Sequence, residues 1–318
     1  MKYGIPYMGS KNTIVEQIVK AMPRGKCFLD ACCGGGAIMQ GAAMSGRWEK
    51  VVANDINPAV IKLLDAIFIH KGQIDYEHPT PCTRQDFFNS LQRIENGDFT
   101  VQDCVNKYCA SFGNDGASYL YGNQIEEIKI TAEKMLCLPN LKDRRLAFHK
   151  FISFLLDEKK FDISKLENLQ QLNNLERLQR LERQERLERQ ERQERLERQE
   201  RLERLENCSL FDLDYTKYDI VYFDIPYKGT HEYDFKFDYE RFYNLFSSLK
   251  IPAFFSEYNA PFECVATFDK RPLFQMSCRE KKATIKGLEK LYFNGTLDQY
   301  KELMGREYQA RTEQLSLF

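Results

Sequence analysis

Apolar residues fall in short, separated runs, and most of these have the length and make-up of buried strands. Runs rich in β-branched and aromatic side chains predict strands at Lys26–Asp30, Val51–Asn54, Tyr218–Phe223, Ala253–Glu257, Cys264–Phe268 and Lys290–Phe293. A different period separates the first of them. Ile14, Ile18 and Val19 share one face of a helix predicted over Thr13–Met22, and small residues predict a second helix through Met44. Strand, glycine loop and helix over 26–44 make the first βα unit of a Rossmann-like sheet. The expected fold class is therefore α/β, with helices on both faces of the sheet.

Between the two halves of this pattern the periodicity changes twice. Residues 75–160 are helical and turn-rich, and Gly113-Asn114-Asp115-Gly116 between aromatic residues predicts a hairpin. Residues 175–206 then repeat (Leu/Gln)-Glu-Arg, with ten Glu and ten Arg. Each Glu from 176 to 200 has an Arg four positions on, which supports a helix by ~0.2–0.5 kcal/mol per pair. A period of three slips about 60° per triplet, so the leucines wind around such a helix and build no coiled-coil seam. The repeat reads as a solvated or frayed low-complexity insert of about 48 Å if helical, with a partner-binding arm as the alternative. An amphipathic helix is expected from Tyr300 onward.

Composition narrows the class only a little. The formal net charge of -1 means that any nucleic-acid surface must be a local patch. Ten cysteines show no CxxC pair, which suits reduced thiols, and Pro81-Cys82 lies in a turn-rich stretch that reads as structural. No apolar run reaches the ~20 residues of a membrane span and the first residues lack a signal-peptide pattern. A soluble, cytoplasmic protein of bacterial or phage type is expected, without membrane or metal, and is taken as a monomer.

Candidate chemistry gathers at the predicted strand ends. Gly34, Gly35 and Gly36 allow a tight turn and a close approach to a cofactor, though not with dinucleotide GxGxxG spacing. Asp55 ends the second strand about 20 residues past the glycines, where a carboxylate can accept both ribose hydroxyls of a nucleoside cofactor. Gly9 and Ser10 permit close backbone approach, and Lys11 places a cation beside them. The Tyr218–Phe223 run stops at Asp224-Ile225-Pro226-Tyr227. A carboxylate, a peptide carbonyl and an aromatic ring are what an exocyclic amine needs to be held by both N–H groups and stacked.

YMGSK, FLDACCGGGAIM, ANDIN and DIPY occur in an order that resembles the Dam-type, D12-class DNA adenine-N6 methyltransferases. The likeness covers roughly residues 1–70 and 207–295, with a weaker match at 104–130. It implies a class I methyltransferase sheet with a reversed strand near its end, S-adenosylmethionine as cofactor and double-stranded DNA as partner. It also implies an arrangement of domains. Residues 1–74 and 207–300 would form the catalytic domain, 75–164 an inserted, mainly helical target-recognition domain, 165–206 the triplet insert and 301–318 a terminal helix or tail.

By the same resemblance, Tyr7, Gly9 and Lys11 line the cofactor pocket, Asp30, Gly34 and Gly36 hold the methionine part, and Asp55 the ribose. Asp214, with Asp212 as competitor, takes the cofactor adenine, and Asp224 to Tyr227 take the target base. Ile225 stands where the family has the first proline of Asp-Pro-Pro-Tyr. Ser111, Asn114, Tyr119, Arg144 and Lys282 are the implied DNA contacts, with Lys142, Arg145, His149 and Lys150 as further phosphate candidates. Ser111-Phe112-Gly113 replaces the Arg-Tyr-Asn typical of GATC readers, so a bidentate arginine on guanine is missing. The expected activity is methyl transfer to N6 of a flipped adenine. Amino-methylation of RNA or protein, or a non-catalytic DNA-binding relic, are the alternatives.

Overall fold

The computed structural model describes residues 3–75, 79–157, 201–227, 237–269 and 288–305. The chain divides into two compact units, Met1–Ile69 with Gln199–Phe318, and His70–Arg198.

The first unit is built on a seven-stranded sheet of order β3-β2-β1-β4-β5-β7-β6. Its strands are β1 (Gly25–Asp30), β2 (Trp48–Asn54), β3 (Leu202–Glu206), β4 (Ile220–Phe223), β5 (Ala253–Glu257), β6 (Glu263–Asp269) and β7 (Leu288–Phe293). β1 pairs in parallel with β2 and β4, as does β4 with β5, while β7 runs antiparallel to both β5 and β6. The reversed strand implied by the family resemblance is thus present. All four residues of β4 are buried, the unbroken apolar pattern of a central parallel strand.

Three helices follow the early part of this unit: α1 (Val15–Lys20), α2 (Ala37–Ser45) and α3 (Pro58–Phe68). Asn57 caps α3 by accepting from Ala59 N at 3.0 Å, and Pro58 supplies the preset φ of a first helical position. Four more helices belong to the second unit, as described below. The next helix of the first unit, α8 (Tyr239–Ser248), starts at Asp238, whose side chain accepts from Arg241 N at 3.0 Å. Phe242 and Phe246, four residues apart and wholly buried, meet Phe255 edge-on at 5.4 and 4.8 Å. Burial of two such rings contributes about 3–6 kcal/mol toward anchoring α8 on β4 and β5. A short helix, α9, covers 297–305.

β3 overturns part of the expectation for the triplet repeat. Leu202–Glu206, the last residues of the 175–206 stretch, form a parallel edge strand on β2 rather than the end of a helix. Val51 N donates to Arg201 O at 2.8 Å and Asp55 N to Glu206 O at 3.3 Å, and Leu202 is buried. Ladder bonds plus a buried leucine outweigh charge pairs worth only tenths of a kcal/mol each. Arg204 is held by Glu206 at 2.7 Å and by the Tyr218 hydroxyl at 3.2 Å. The rest of the repeat lies outside the described residues, as do the Arg279–Lys286 segment with Lys282, the loop over 228–236 and the tail after 305.

The second unit, within its described part, is helical: α4 (Arg84–Glu95), α5 (Val101–Cys109), α6 (Glu126–Cys137) and α7 (Leu141–Asp157). Thr83 with Asp86 and Thr100 with Asp103 form capping boxes at the starts of α4 and α5. The predicted hairpin reduces to one antiparallel bridge, Ser111↔Tyr119, around a 3₁₀ turn at Phe112–Asn114. Its cause is local. Asp115 Oδ1 accepts from Ser111 Oγ, Ala117 N and Ser118 N at 2.8–2.9 Å, which ties the loop into a compact side-chain knot instead of a ladder.

Candidate active site

Strand order fixes where chemistry can gather. β1 and β4 lie side by side, with Asp30 in register with Tyr222, and their connections leave to opposite sides of the sheet. A ligand crevice is expected outside the carboxyl ends of strands at such a switch point. Asp30 and Asp224 arrive there from the two strands.

The N-terminal segment closes over the glycine loop. Ile5 N donates to Gly35 O at 2.8 Å, and the Tyr7 side chain lies against Gly34 and Gly35. A Cβ on Gly35 would stand 2.6 Å from Tyr7 Cβ, and Gly34 has φ +46°, so both positions need glycine. Gly36, in the left-handed region, starts α2. Part of what the glycines admit is therefore this chain's own tyrosine. Asp55 supports the loop from the other side: Oδ2 accepts from Gly34 N and Oδ1 from Asn57 N, each at 2.8 Å. Asn54 Nδ2 donates to Ala31 O at 3.0 Å and Cys208 O at 3.1 Å, which fixes the ends of β1 and β2 to the chain leaving β3.

Charge in this region is unbalanced. Asp30 is 1% exposed, and its one hydrogen bond among the described residues comes from Met39 N at 2.9 Å. Its Oδ1 has no partner among the described residues, and neither does the buried hydroxyl of Ser10. Burial, then the charge of Asp224, push the Asp30 carboxyl well above the ordinary carboxylate range. The Met39 bond pulls against them, Asp55 pushes further upward and Lys11 offsets only in part. Asp55 is raised as well, by burial first, against the bonds from Asn57 and Gly34, and with Asp224 again pushing upward. The three carboxylates thus lie close enough to act on one another's charge.

Lys11 is the cation set among them. Its ammonium lies 2.5 Å from Asp224 Oδ1 and 3.3 Å from Glu289 Oε1, and 4.6 Å from the centre of the Tyr227 ring. Burial would lower its pKa, but Asp224 and Glu289 outweigh that and hold it above the usual lysine value. The Tyr227 hydroxyl donates to Glu289 Oε1, and its ring meets Tyr258 edge-on at 4.9 Å. Pro226 O accepts from the Tyr239 hydroxyl at 3.0 Å, which holds the loop after β4 to α8. Ile225, in the place of the family's first proline, is 2% exposed and joins the core with Phe223 and Phe242. Buried apolar packing replaces ring rigidity at that position.

Of the residues singled out in the sequence, Tyr7, Lys11, Asp30, Gly34, Asp55, Asp224 and Tyr227 are thus linked by direct contact or mutual charge. Others fall elsewhere. Asp214 is exposed and caps the short 3₁₀ turn Tyr215–Lys217, accepting from Thr216 Oγ1 at 2.6 Å and pairing with Lys217 at 3.3 Å. Its competitor Asp212 is exposed too. Ser111 is 3% exposed and bonded within its loop. Tyr119 is 7% exposed, with its hydroxyl on Cys82 O at 2.7 Å and the Arg84 guanidinium over its ring. Both face inward, away from the surface role expected of them. Asn114 is exposed, and Arg144 reaches Leu138 O at the end of α6. The Cys82 thiol is pushed up to about 12 by burial and the nearby Asp86 and Glu133, no nucleophile at neutral pH.

Glu289 escaped the reading of the sequence. The predicted strand began one residue after it, yet it lies in phase with buried Leu291, and a carboxylate at an inward strand position is the signal that could have found it. Among the described residues no group of three or more His, Cys, Asp or Glu could hold a metal ion. No described helix is long and apolar enough to cross a membrane.

Two comparisons bear on this geometry. No curated protein matches the chain. Residues 7–132, which carry Tyr7, Lys11, the glycine loop and Asp55, match the family model described as D12 class N6 adenine-specific DNA methyltransferase.

Proposed function

We propose that this chain, D12 class over residues 7–132, methylates N6 of adenine in double-stranded DNA with S-adenosylmethionine as methyl donor. The observation that carries the reading is the set of Asp30, Asp55 and Asp224, close enough to act on one another, with Lys11 paired to Asp224.

The donor fits that set on charge grounds. Buried carboxylates that raise one another's pKa are relieved by a cationic ligand, and S-adenosylmethionine carries an ammonium and a sulfonium against one carboxylate. Asp30 Oδ1, buried without a partner among the described residues, is the acceptor we assign to the ammonium. Tyr7 and the loop from Gly34 to Gly36 would lie along the methionine part, Gly9 would let the backbone come close, and Asp55 would take the ribose. Asp55 already accepts from Gly34 N and Asn57 N. Each carboxylate oxygen has a second lone pair, so it can hold the loop and a hydroxyl together. The exposed, capping position of Asp214 lends no support to its taking the cofactor adenine.

When bound, the donor supplies an electrophilic methyl group on a sulfonium. Asp224 accepts one N–H of the target amine and the Ile225 carbonyl the other, which points the nitrogen lone pair away from both. As the nitrogen becomes positive, the Asp224 charge stabilises it, an electrostatic role more than that of a general base. Tyr227 offers the ring on which the flipped base stacks, and flipping is required because the amine is otherwise engaged in base pairing. We assign target recognition to the unit His70–Arg198, with Asn114 and the exposed Lys142, Arg145 and His149 of α7 as contacts. Ser111, short and buried, leaves no arginine to read guanine at that point, so a target other than GATC is expected.

Expression in a host without adenine methylation, followed by mapping of modified adenines across its genome, tests the reading. A recurrent methylated sequence is the expected result. A genome free of N6-methyladenine, from protein that is folded and expressed, would overturn it.

A further inference from the structure

The contact between Lys11 and Asp224 raises a difficulty for the function just proposed. Asp224 must accept an N–H from the target amine, yet its Oδ1 already receives the Lys11 ammonium at 2.5 Å. Oδ2 and the further lone pairs leave room for an amine N–H, but the ammonium neutralises the charge that must stabilise the amine nitrogen as it becomes positive. Drawing a buried ammonium away from Asp224 with no second anion in reach would leave an unpaired charge, at a cost far above what one amine N–H returns.

Glu289 removes the difficulty. Its side chain is fully buried, and its Oε1 lies 3.3 Å from the same ammonium. Lys11 therefore stands between two carboxylates, close to one and within ion-pair distance of the other. The same Oε1 accepts from the Tyr227 hydroxyl, so one atom of β7 meets both the cation beside Asp224 and the ring offered to the base. We infer that Glu289 is a positioning residue that receives Lys11 when a target amine takes Asp224, and that it fixes the Tyr227 ring through its hydroxyl.

The shift is short, and no proton changes hands. Lys11 stays an ammonium, pairs with Glu289 instead of Asp224, and leaves Asp224 to the two-donor amine. Glu289 has no contact with the base in this scheme and acts through Lys11 and Tyr227. The inference rests on the proposed methyl transfer for its purpose, while the Lys11–Glu289 contact can be probed without any turnover.

Wild type and the variants Glu289→Gln, Glu289→Asp, Tyr227→Phe and Glu289→Gln/Tyr227→Phe are compared in two measurements. The first is the rate at which formaldehyde and borohydride methylate Lys11, read by mass spectrometry without donor or DNA. The second is kcat and KM on DNA carrying the mapped target. Glu289→Gln is expected to speed Lys11 labelling at least about fivefold and to lower kcat by about 10- to 100-fold, with KM for the donor within about threefold. Glu289→Asp should recover part of kcat. The double variant should fall little below Glu289→Gln alone, since both changes break one network.

Labelling and kcat both within twofold of wild type in Glu289→Gln, or losses that multiply in the double variant, would overturn the inference. Should Glu289→Gln fail to fold, Tyr227→Phe decides alone: kcat lowered at unchanged donor KM supports the inference, and unchanged kcat ends it. If wild type methylates no DNA, the proposed activity has failed, and labelling still judges the Lys11–Glu289 contact by itself.

Discussion

Asp30 and Asp103 are each 1% exposed, and they are opposites. Asp103, in the first turn of α5, accepts from Ser90 Oγ at 2.8 Å, Thr100 N at 2.9 Å, Thr100 Oγ1 at 2.8 Å and the Arg93 guanidinium at 2.5 Å. Burial would raise its pKa, but Arg93 and then the Thr100 and Ser90 bonds outweigh it and hold the carboxyl well below the ordinary range. Asp30 has one backbone bond, an oxygen without a partner among the described residues, and two further carboxylates acting on it. One buried acid is complete within the protein. The other keeps an acceptor to spare among the described residues, the contrast expected between a structural carboxylate and the ligand-holding one we propose.

The largest effect expected is at the third carboxylate. Asp224→Ala should lower methylation by about a thousandfold while donor binding, followed by calorimetry, stays measurable. Activity near the wild-type level would remove the chemical half of the contrast. Next comes Asp103→Asn, which replaces an acceptor with an amide facing donors and should cost about 2–3 kcal/mol in denaturant unfolding.

Asp30→Asn is the mirror experiment. It should leave unliganded stability unchanged or raised by up to about 1 kcal/mol, because a raised acid loses its desolvation penalty. Donor affinity should fall at least tenfold, about 1.4 kcal/mol. If Asp30→Asn destabilised the protein as much as Asp103→Asn, Asp30 would be structural and the contrast would be gone.

The pH dependence of the two variants should have opposite signs. Asp103 has a depressed folded pKa, so its stabilisation is complete above the unfolded value of about 3.9 and is lost as pH falls through the folded one. Asp30 has a raised folded pKa, so its ionisation costs stability as pH climbs above about 3.9 and on through the folded value. The deficit of Asp103→Asn should therefore shrink in acid, while any gain of Asp30→Asn should grow toward neutrality. Unfolding free energies across that range provide the check. The smallest effect expected is Ser90→Ala, about 1 kcal/mol, since Asp103 keeps its bonds from Arg93 and Thr100.

Much of the first unit was legible because buried parallel strands announce themselves. The runs at 26–30, 51–54 and 253–257 all lie within observed strands, and Asp30, Asp55 and Asp224 stand at strand ends as placed. What misled was local chemistry that a tertiary partner overrode. Glu-Arg pairing argued for helix through 206, but β2 offered a ladder to Leu202–Glu206. Aromatics around Gly113–Gly116 argued for a hairpin, but Asp115 drew the loop into side-chain bonds. Asp214 resembled a ligand carboxylate and turned out to be a cap.

By itself the sequence determined the α/β pattern, the glycine loop with its acidic strand ends, and the carboxylate, carbonyl and ring that Asp224 to Tyr227 bring together. Those follow from side-chain type and short spacings, which are written along the chain. Only the folded structure decided that Lys11 sits on Asp224, that Glu289 waits beside both Lys11 and Tyr227, and that Asp30 keeps an oxygen without a donor among the described residues. The contacts span from 62 residues, between Tyr227 and Glu289, to more than 200, between Lys11 and Asp224, and distance in space has no signature in a local pattern.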